Sequence, residues 1–485
     1  MNSKRALLFL VVSTVLSFSS CSGLKGACTV NCGGGGNGTA TLTITMRATP
    51  LTPPASTNLL AFVTQITGVT LTPSSGNPVN FTSTPTLDFI HLQDSSLLLG
   101  TVTAPAGSYT SITIAFSAPK VTYCTQLSGV AGCALGSVAY APSGVTLPVI
   151  PVTLSLSENQ QAGLEIDLDL NKALTVNANT QVITAVNLGD VSAFSASALP
   201  PTSSSLAAGQ LDFFENILGE VTAVSGQAVT VQTAVNGSYT ATGSASTYYS
   251  PNCLLSGAAC SPAVGQLVSI DTAVNDNGTL ALLVYDPLSS AAIGWIDGVV
   301  TAPATSSTQF QIIAGKQITS AGGSYSLPGG SLVNVTLATP LASTFLIDAK
   351  GLTLPNNSFT GSTDASVLVP GMTVGLRVTQ FTAASGATPA AITADIVTLR
   401  FSSVSGTISA AAAPISFTMQ SLPTFFGPTT SSVVQLNQLT PTTNYDGVSG
   451  SSGLTVGDTA AIRALYLGST SATNTPFIAA KVRQF

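Results

Sequence analysis

The chain has 485 residues, of which only 7% are charged, with 13 Lys+Arg against 19 Asp+Glu and a net charge of −6. That length implies several domains, and so few cations leave no basic footprint, which excludes nucleic acid as a partner. A hydrophobic fraction of 45% and a mean hydropathy of +0.46 would suit a membrane protein. After Phe18, however, no apolar run reaches the about 20 residues that a spanning helix needs. The apolar residues are Val, Ile, Leu and Ala interleaved with Thr, Ser and Gly, the alternation of β-strands.

Lys4 and Arg5 precede an apolar run from Ala6 to Phe18, and Phe18-Ser19-Ser20-Cys21 follows. This reads as a signal peptide over 1–20 ending in a lipobox-like site, with Phe18 where Leu is commoner. Cys21 is the expected lipidation site and the membrane the expected partner through that lipid. Ser22 follows it, with no Asp to suggest inner-membrane retention, so the expected address is the outer membrane, at the cell surface or facing the periplasm. Residues 21–39 include Gly33-Gly34-Gly35-Gly36 and read as a flexible tether.

With Cys21 set aside, six cysteines fall into three local pairs, Cys28/Cys32, Cys124/Cys133 and Cys253/Cys260. In an exported chain these are expected as disulfides. Closing a loop of about ten residues is worth roughly 2.5–3 kcal/mol in the chain-entropy treatment.

The first folded region spans 40–197 and opens on Thr41-Leu42-Thr43-Ile44-Thr45-Met46, a period-2 strand. Pro105-Ala106-Gly107-Ser108-Tyr109, followed by alternating Ile112, Ile114 and Phe116, predicts an antiparallel, prealbumin-like β-sandwich. Residues 198–213 form the expected linker, with Pro200-Pro201-Thr202-Ser203-Ser204-Ser205 at its start. Leu206 to Leu218 is the one short helical candidate.

Three related units follow, over 214–290, 291–402 and 403–485. They open on Gly219-Glu220-Val221, Gly298-Val299-Val300 and Gly406-Thr407-Ile408. Their later segments match as Val264-Gly265-Gln266-Leu267-Val268, Pro370-Gly371-Met372-Thr373-Val374 and Val456-Gly457-Asp458-Thr459-Ala460. Each closes on an apolar strand, at Ala281–Tyr285, Ile392–Val397 and Ile478–Val482. The uneven spacing predicts tandem domains with loop insertions, each a small β-barrel of five or six strands. The longest insertion spans Ala314–Asn357. The fold class expected for the whole chain is all-β.

Two family resemblances arise from these residues. Asp88-Phe89-Ile90-His91-Leu92, Leu97-Leu98-Leu99-Gly100, Pro105-Ala106-Gly107-Ser108-Tyr109, Ala141-Pro142-Ser143-Gly144 and Leu164-Glu165-Ile166-Asp167-Leu168-Asp169, in that order, resemble the bacterial domain of unknown function 4382. Arg47-Ala48-Thr49-Pro50 departs from that family's usual Asp-Ala-Pro turn. The three later units resemble domain of unknown function 5666 through the Gly-x-Val opening and the Val-Gly-x-x-Val strand. The resemblances imply fold and address, and no activity.

Candidate chemistry is sparse. His91 is the only histidine, so any Ser-His-Asp or Cys-His arrangement hangs on it, and no Gly-x-Ser-x-Gly elbow is present. A place on a half-buried strand accounts for it as well. Glu165, Asp167 and Asp169 alternate with apolar residues and share one strand face, neighbours about 6–7 Å apart. They are candidate calcium ligands; a solvent-facing polar side of an antiparallel sheet gives the same pattern. Asn275-Asp276-Asn277-Gly278 reads as a hairpin turn. Tyr248-Tyr249 is the best local candidate for stacking a sugar, and Trp295 reads as core. The terminal Phe485 invites an outer-membrane barrel, but Arg483 and Lys481 occupy positions that would face lipid.

The expected function is that of an exported, lipid-anchored, non-catalytic surface protein, a structural, adhesion or envelope-interaction module meeting surface polysaccharide or protein, with no cofactor. The alternative is a secreted ligand-binding protein or hydrolase with a calcium-assisted site at a domain junction.

Overall fold

The computed structural model of the protein describes residues 38–485 apart from 53–58, 82–84, 127–132, 140–147, 181, 200–213, 234–236, 252–259, 275–278, 289–292, 303, 321–322, 324, 339–343, 413–414, 424–430, 437–442 and 469–475. The signal, Cys21, Cys28, Cys32, the four glycines of the tether, residues 200–213 of the linker and the Asn275–Gly278 turn lie outside the described residues, while Ala198 and Leu199, expected in the linker, belong to the last strand of the N-terminal region.

The N-terminal region is a sandwich of β1 (Thr39–Thr49), β2 (Leu59–Pro73), β3 (Val79–Phe81), β4 (Thr86–Asp88), β5 (Leu97–Pro105), β6 (Gly107–Gln126), β7 (Cys133–Ala139), β8 (Val149–Leu156), β9 (Gln161–Asp169), β10 (Leu174–Val176), β11 (Ile183–Val186) and β12 (Phe194–Leu199). One sheet has the order β12-β9-β1-β5; the other runs β3-β2-β6-β7, with β4 on β2 and β8 on β6. Period-2 alternation decides what lies between them. On β1, Ala40, Leu42, Ile44 and Met46 are buried, and they share one core with Phe62, Phe116 and Ile166. The expected antiparallel arrangement is corrected at one place, because β1 and β9 run parallel. A parallel neighbour is reached through a long connection, and local alternation carries no trace of it.

Three closed barrels follow. The first contains β13 (Phe214–Ser225), β14 (Ala228–Thr233), β15 (Ser238–Thr242), β16 (Tyr248–Tyr249), β17 (Leu267–Val274) and β18 (Leu280–Leu288). Its five-strand cycle runs β13-β14-β15-β18-β17 and returns to β13. The second contains β19 (Gly294–Val300), β20 (Gln309–Thr319), β21 (Leu332–Leu337), β22 (Thr344–Ile347), β23 (Thr373–Thr382) and β24 (Ala390–Ala412). It closes as β19-β20-β21-β24-β23. The third adds β25 (Ser416–Gln420), β26 (Ser431–Leu436), β27 (Asn444–Asp446), β28 (Thr459–Tyr466) and β29 (Phe477–Gln484), and closes as β24-β25-β26-β29-β28. In each barrel a short sixth strand, β16, β22 or β27, lies parallel on the last strand.

The helical candidate at Leu206–Leu218 is corrected where it is described: Phe214 to Leu218 belong to β13. The second and third barrels share β24, so the boundary at 402/403 falls inside one continuous strand. The repeated opening glycine has a packing cause. A Cβ on Gly219 would stand 2.7 Å from Gln232 O, on Gly298 2.7 Å from Ile313 O, and on Gly406 2.7 Å from Gln420 O. The neighbouring strand approaches too closely for any side chain there.

The four β-units between Gly38 and Phe485 form one compact body. Leu98 of β5 enters the first barrel's core. Leu60, Ala61 and Val63 of β2 pack with Ile313 of the second, where Thr122 Oγ1 donates to Gly330 O at 3.0 Å. Ser403 Oγ donates to Ile90 O at 2.9 Å, and Arg483 Nη1 donates to Gln93 O at 3.1 Å, tying the third barrel to the sandwich.

Candidate functional site

The segment after β4 organises the meeting of the sandwich with the second and third barrels. Asp88 Oδ1 accepts from the backbone N–H groups of Phe62 at 2.9 Å and Ile90 at 3.0 Å. That folds Ile90 and His91 into a tight turn, and His91–Gln93 is a single 3-10 turn where a strand was expected. Two cavities of about 30 Å³ each share Leu60, His91, Val299 and Thr373 in their walls. Asp88, Ser95, Asp297, Lys316 and Arg463 line the second. A space of this size holds about two water molecules.

Burial first, then Lys316 and Arg463, push the His91 imidazole down to about 3. Burial pushes the Asp88 carboxyl up to about 6 despite its two backbone donors. A general base works best with a pKa near the operating pH, and a neutral imidazole that resists protonation is poorly suited to that task. The cluster can order water and hold charges in place.

Charge is concentrated at the other junctions as well. Arg400 on β24 lies 2.7 Å from Asp348, 3.2 Å from Asp286 of the first barrel and 3.9 Å from Asp297. Its guanidinium sits 5.6 Å from the ring centre of Trp295, which is buried, as expected, and donates to Asp297 Oδ1 at 3.2 Å. Lys350 pairs with Asp271 of the first barrel. Arg463 stands 3.8 Å from Asp94 of the sandwich, and Arg483 2.5 Å from Asp446.

These junction charges were missed from the sequence, though a signal existed. The sixth residue after the glycine of each later matching segment (Gly265, Gly371 and Gly457) is Asp271 in the first unit, Arg377 in the second and Arg463 in the third. A charge recurring at one position of an otherwise apolar strand marks a paired site. Arg377 completes the set by binding Asp395 through two contacts of 2.7 Å.

The carboxylate strand is corrected in its surroundings. Glu165 and Asp167 are buried at 6% and 9% exposure, where a solvent face was expected. β1 pairs Arg47 with Asp167 in register, and Arg47 reaches Glu165 at 3.0 Å and Asp167 at 2.6 Å. Thr49 Oγ1 also donates to Asp167 at 2.9 Å. Asp169 caps the short helix α1 (Leu170–Ala173), accepting from the Asn171 N–H at 3.0 Å, and pairs with Lys172 at 3.3 Å. A guanidinium therefore stands where a cation between Glu165 and Asp167 would be bound. Among the described residues no group of three or more His, Cys, Asp or Glu is placed to hold a metal. Burial, opposed by Arg47, raises the Glu165 pKa. Arg47→Met is expected to lower stability by about 1–3 kcal/mol, since it strands two buried carboxylates. Urea unfolding measures it, and an unchanged midpoint would remove Arg47 from this role.

Cys124 is buried on β6, and Cys133 opens β7, paired in register with Gln126. Cys260 is half-buried; Cys253 lies outside the described residues. Tyr249 is exposed, its ring 5.9 Å from that of Tyr285. Lys481 and Arg483 are both 2% exposed inside the molecule.

Residues 39–184 match a domain of unknown function, DUF4382. The DUF4382 match covers most of the sandwich, from β1 into β11. The Asp88–Leu92 stretch that carried the resemblance is the turn from which the sandwich meets the second and third barrels. No curated protein matches the chain.

Proposed function

We propose that the protein is an exported, lipid-anchored, non-catalytic surface protein, held in the outer membrane through Cys21, in which the DUF4382 domain and three DUF5666-like barrels form a rigid interaction module. The observation that carries this reading is the use of charge. In a chain with 7% charged residues, Arg400, Lys350, Arg463 and Arg483 are committed to joints between domains. A buried pair is weak evidence of added stability, and the role read for these pairs is to fix one geometry of the domains. A linear stalk needs no such joints; a body that presents one surface does. The water-sized junction cavities and the neutral His91 favour presentation over turnover.

The reading includes disulfides at Cys28/Cys32, Cys124/Cys133 and Cys253/Cys260, which peptide mapping without reduction would detect. It also includes recognition of surface polysaccharide or protein, with no nucleic acid.

In fractionated cells the wild-type protein is expected in the membrane fraction, released by detergent, and the Cys21→Ala protein in the soluble exported fraction. Membrane retention of Cys21→Ala would remove the anchor. A pull-down from intact cells, with Cys21→Ala as the release control, then tests the interaction role. Failure of the anchored form to retain any envelope component above that control would count against it.

A further inference from the structure

The joint between the first and second barrels buries more negative than positive charge. Asp271 on β17 and Asp286 on β18 come from the first barrel; Asp297 on β19 and Asp348, just after β22, come from the second. The cations facing them are Arg400, which is buried, and Lys350, which is half-buried. Lys316 on β20 also faces this group but is exposed, and Tyr248 on β16 lies beside Asp348 and Asp286.

One nitrogen, Arg400 Nη1, serves Asp348 Oδ2 at 2.7 Å and Asp286 Oδ2 at 3.2 Å. Asp286 and Asp348 are 3% and 1% exposed, they repel one another, and Asp348 Oδ1 has no hydrogen-bond partner. Two carboxylates from different domains converging on one donor, with an acceptor oxygen to spare, form a natural place for an acid–carboxylate pair.

We propose that this joint is a proton-linked clasp: closing the first barrel onto the second takes up one proton, carried by Asp286 and shared with Asp348. A proton brings the buried group nearer neutrality, and uncompensated buried charge is costly. Burial, then Asp348, push Asp286 up to about 6 against Arg400, Ser250 and Lys350. Apart, the Asp286 carboxyl returns to the ordinary range near 4. The closed joint therefore holds the proton below about pH 6, is tightest below about pH 4, where both states are protonated, and loosens as pH rises from there through about 6.

The test is hydrogen exchange of β18 and β19, corrected for intrinsic rates, at pH 5 and pH 7.5. Wild-type protection at the joint is expected to fall by about tenfold between them. Asp286→Asn should remove that dependence and protect at least as well as wild type at pH 7.5. An ordinary ion pair predicts the reverse, with wild type tighter at pH 7.5 and Asp286→Asn looser. Persistence of the dependence in Asp286→Asn, or loosening by it at pH 7.5, overturns the clasp. Should Asp286→Asn not fold, Asp348→Asn decides in the same way. Asp88→Asn, at the other junction, is expected to leave the dependence intact, and its loss there would equally overturn the assignment.

Discussion

Replacing Arg400 with methionine is expected to lower the unfolding free energy by about 3–5 kcal/mol, the range for removing one partner of a buried ion pair. Arg400 is 1% exposed and is the common partner of Asp286, Asp297 and Asp348. Without the guanidinium these carboxylates stay buried with less compensation, and methionine, close to arginine in volume, limits any packing loss. The loss should shrink at pH 5, where the carboxyls can take up protons in place of the cation. Trp295, the single tryptophan, has its ring 5.6 Å from Arg400, so urea unfolding followed by its fluorescence reads the site directly. A loss below about 1 kcal/mol, the level of a surface pair, would mean that Arg400 does not organise this joint.

Raising the pH from 7 to 9.5 is expected to stabilise the protein by about 3 kcal/mol through Lys481 alone. Lys481 is 2% exposed on β29, and burial, then Arg483, push its amine down to about 7 against the pull of Asp446 and Asp94. Its pKa is lowered on folding, so between about 7 and the ordinary value near 10.4 the unfolded chain holds a proton that the folded chain lacks. Stability therefore rises with pH across that window. Lys481→Met should be more stable than wild type at pH 7, with the difference vanishing toward pH 10. The comparison of the two pH profiles isolates Lys481 from the tyrosines and Arg463. Parallel profiles would show that the amine stays charged when folded.

Much of the architecture was legible in residue pattern. The threonine–aliphatic alternation of β1 marked a half-buried strand, and it is one. Gly219, Gly298 and Gly406 marked three units, because backbone oxygens of the neighbouring strand exclude a Cβ at each. What pattern did not carry is pairing between distant segments. The parallel β1–β9 contact, which buries Glu165 and Asp167 beside Arg47, joins residues more than a hundred positions apart. Without it the three carboxylates read as a solvent face or a calcium site. His91 shows the same limit: neighbours Ile90 and Leu92 suggest a strand, yet hydrogen bonds from Phe62 and Ile90 to Asp88 wind the segment into a turn.

By itself the sequence determined that the protein is all-β, that it contains a sandwich and three related barrels, and where each unit opens, because side-chain alternation and glycine sterics act over a few residues. Only the tertiary structure decided that these units form one body and that Arg400, Arg463, Lys481 and Arg483 belong to its interior. The physical reason is that a charge is tolerated in a strand wherever a partner awaits it. That partner, on another domain, is supplied by the fold and not by the neighbouring residues.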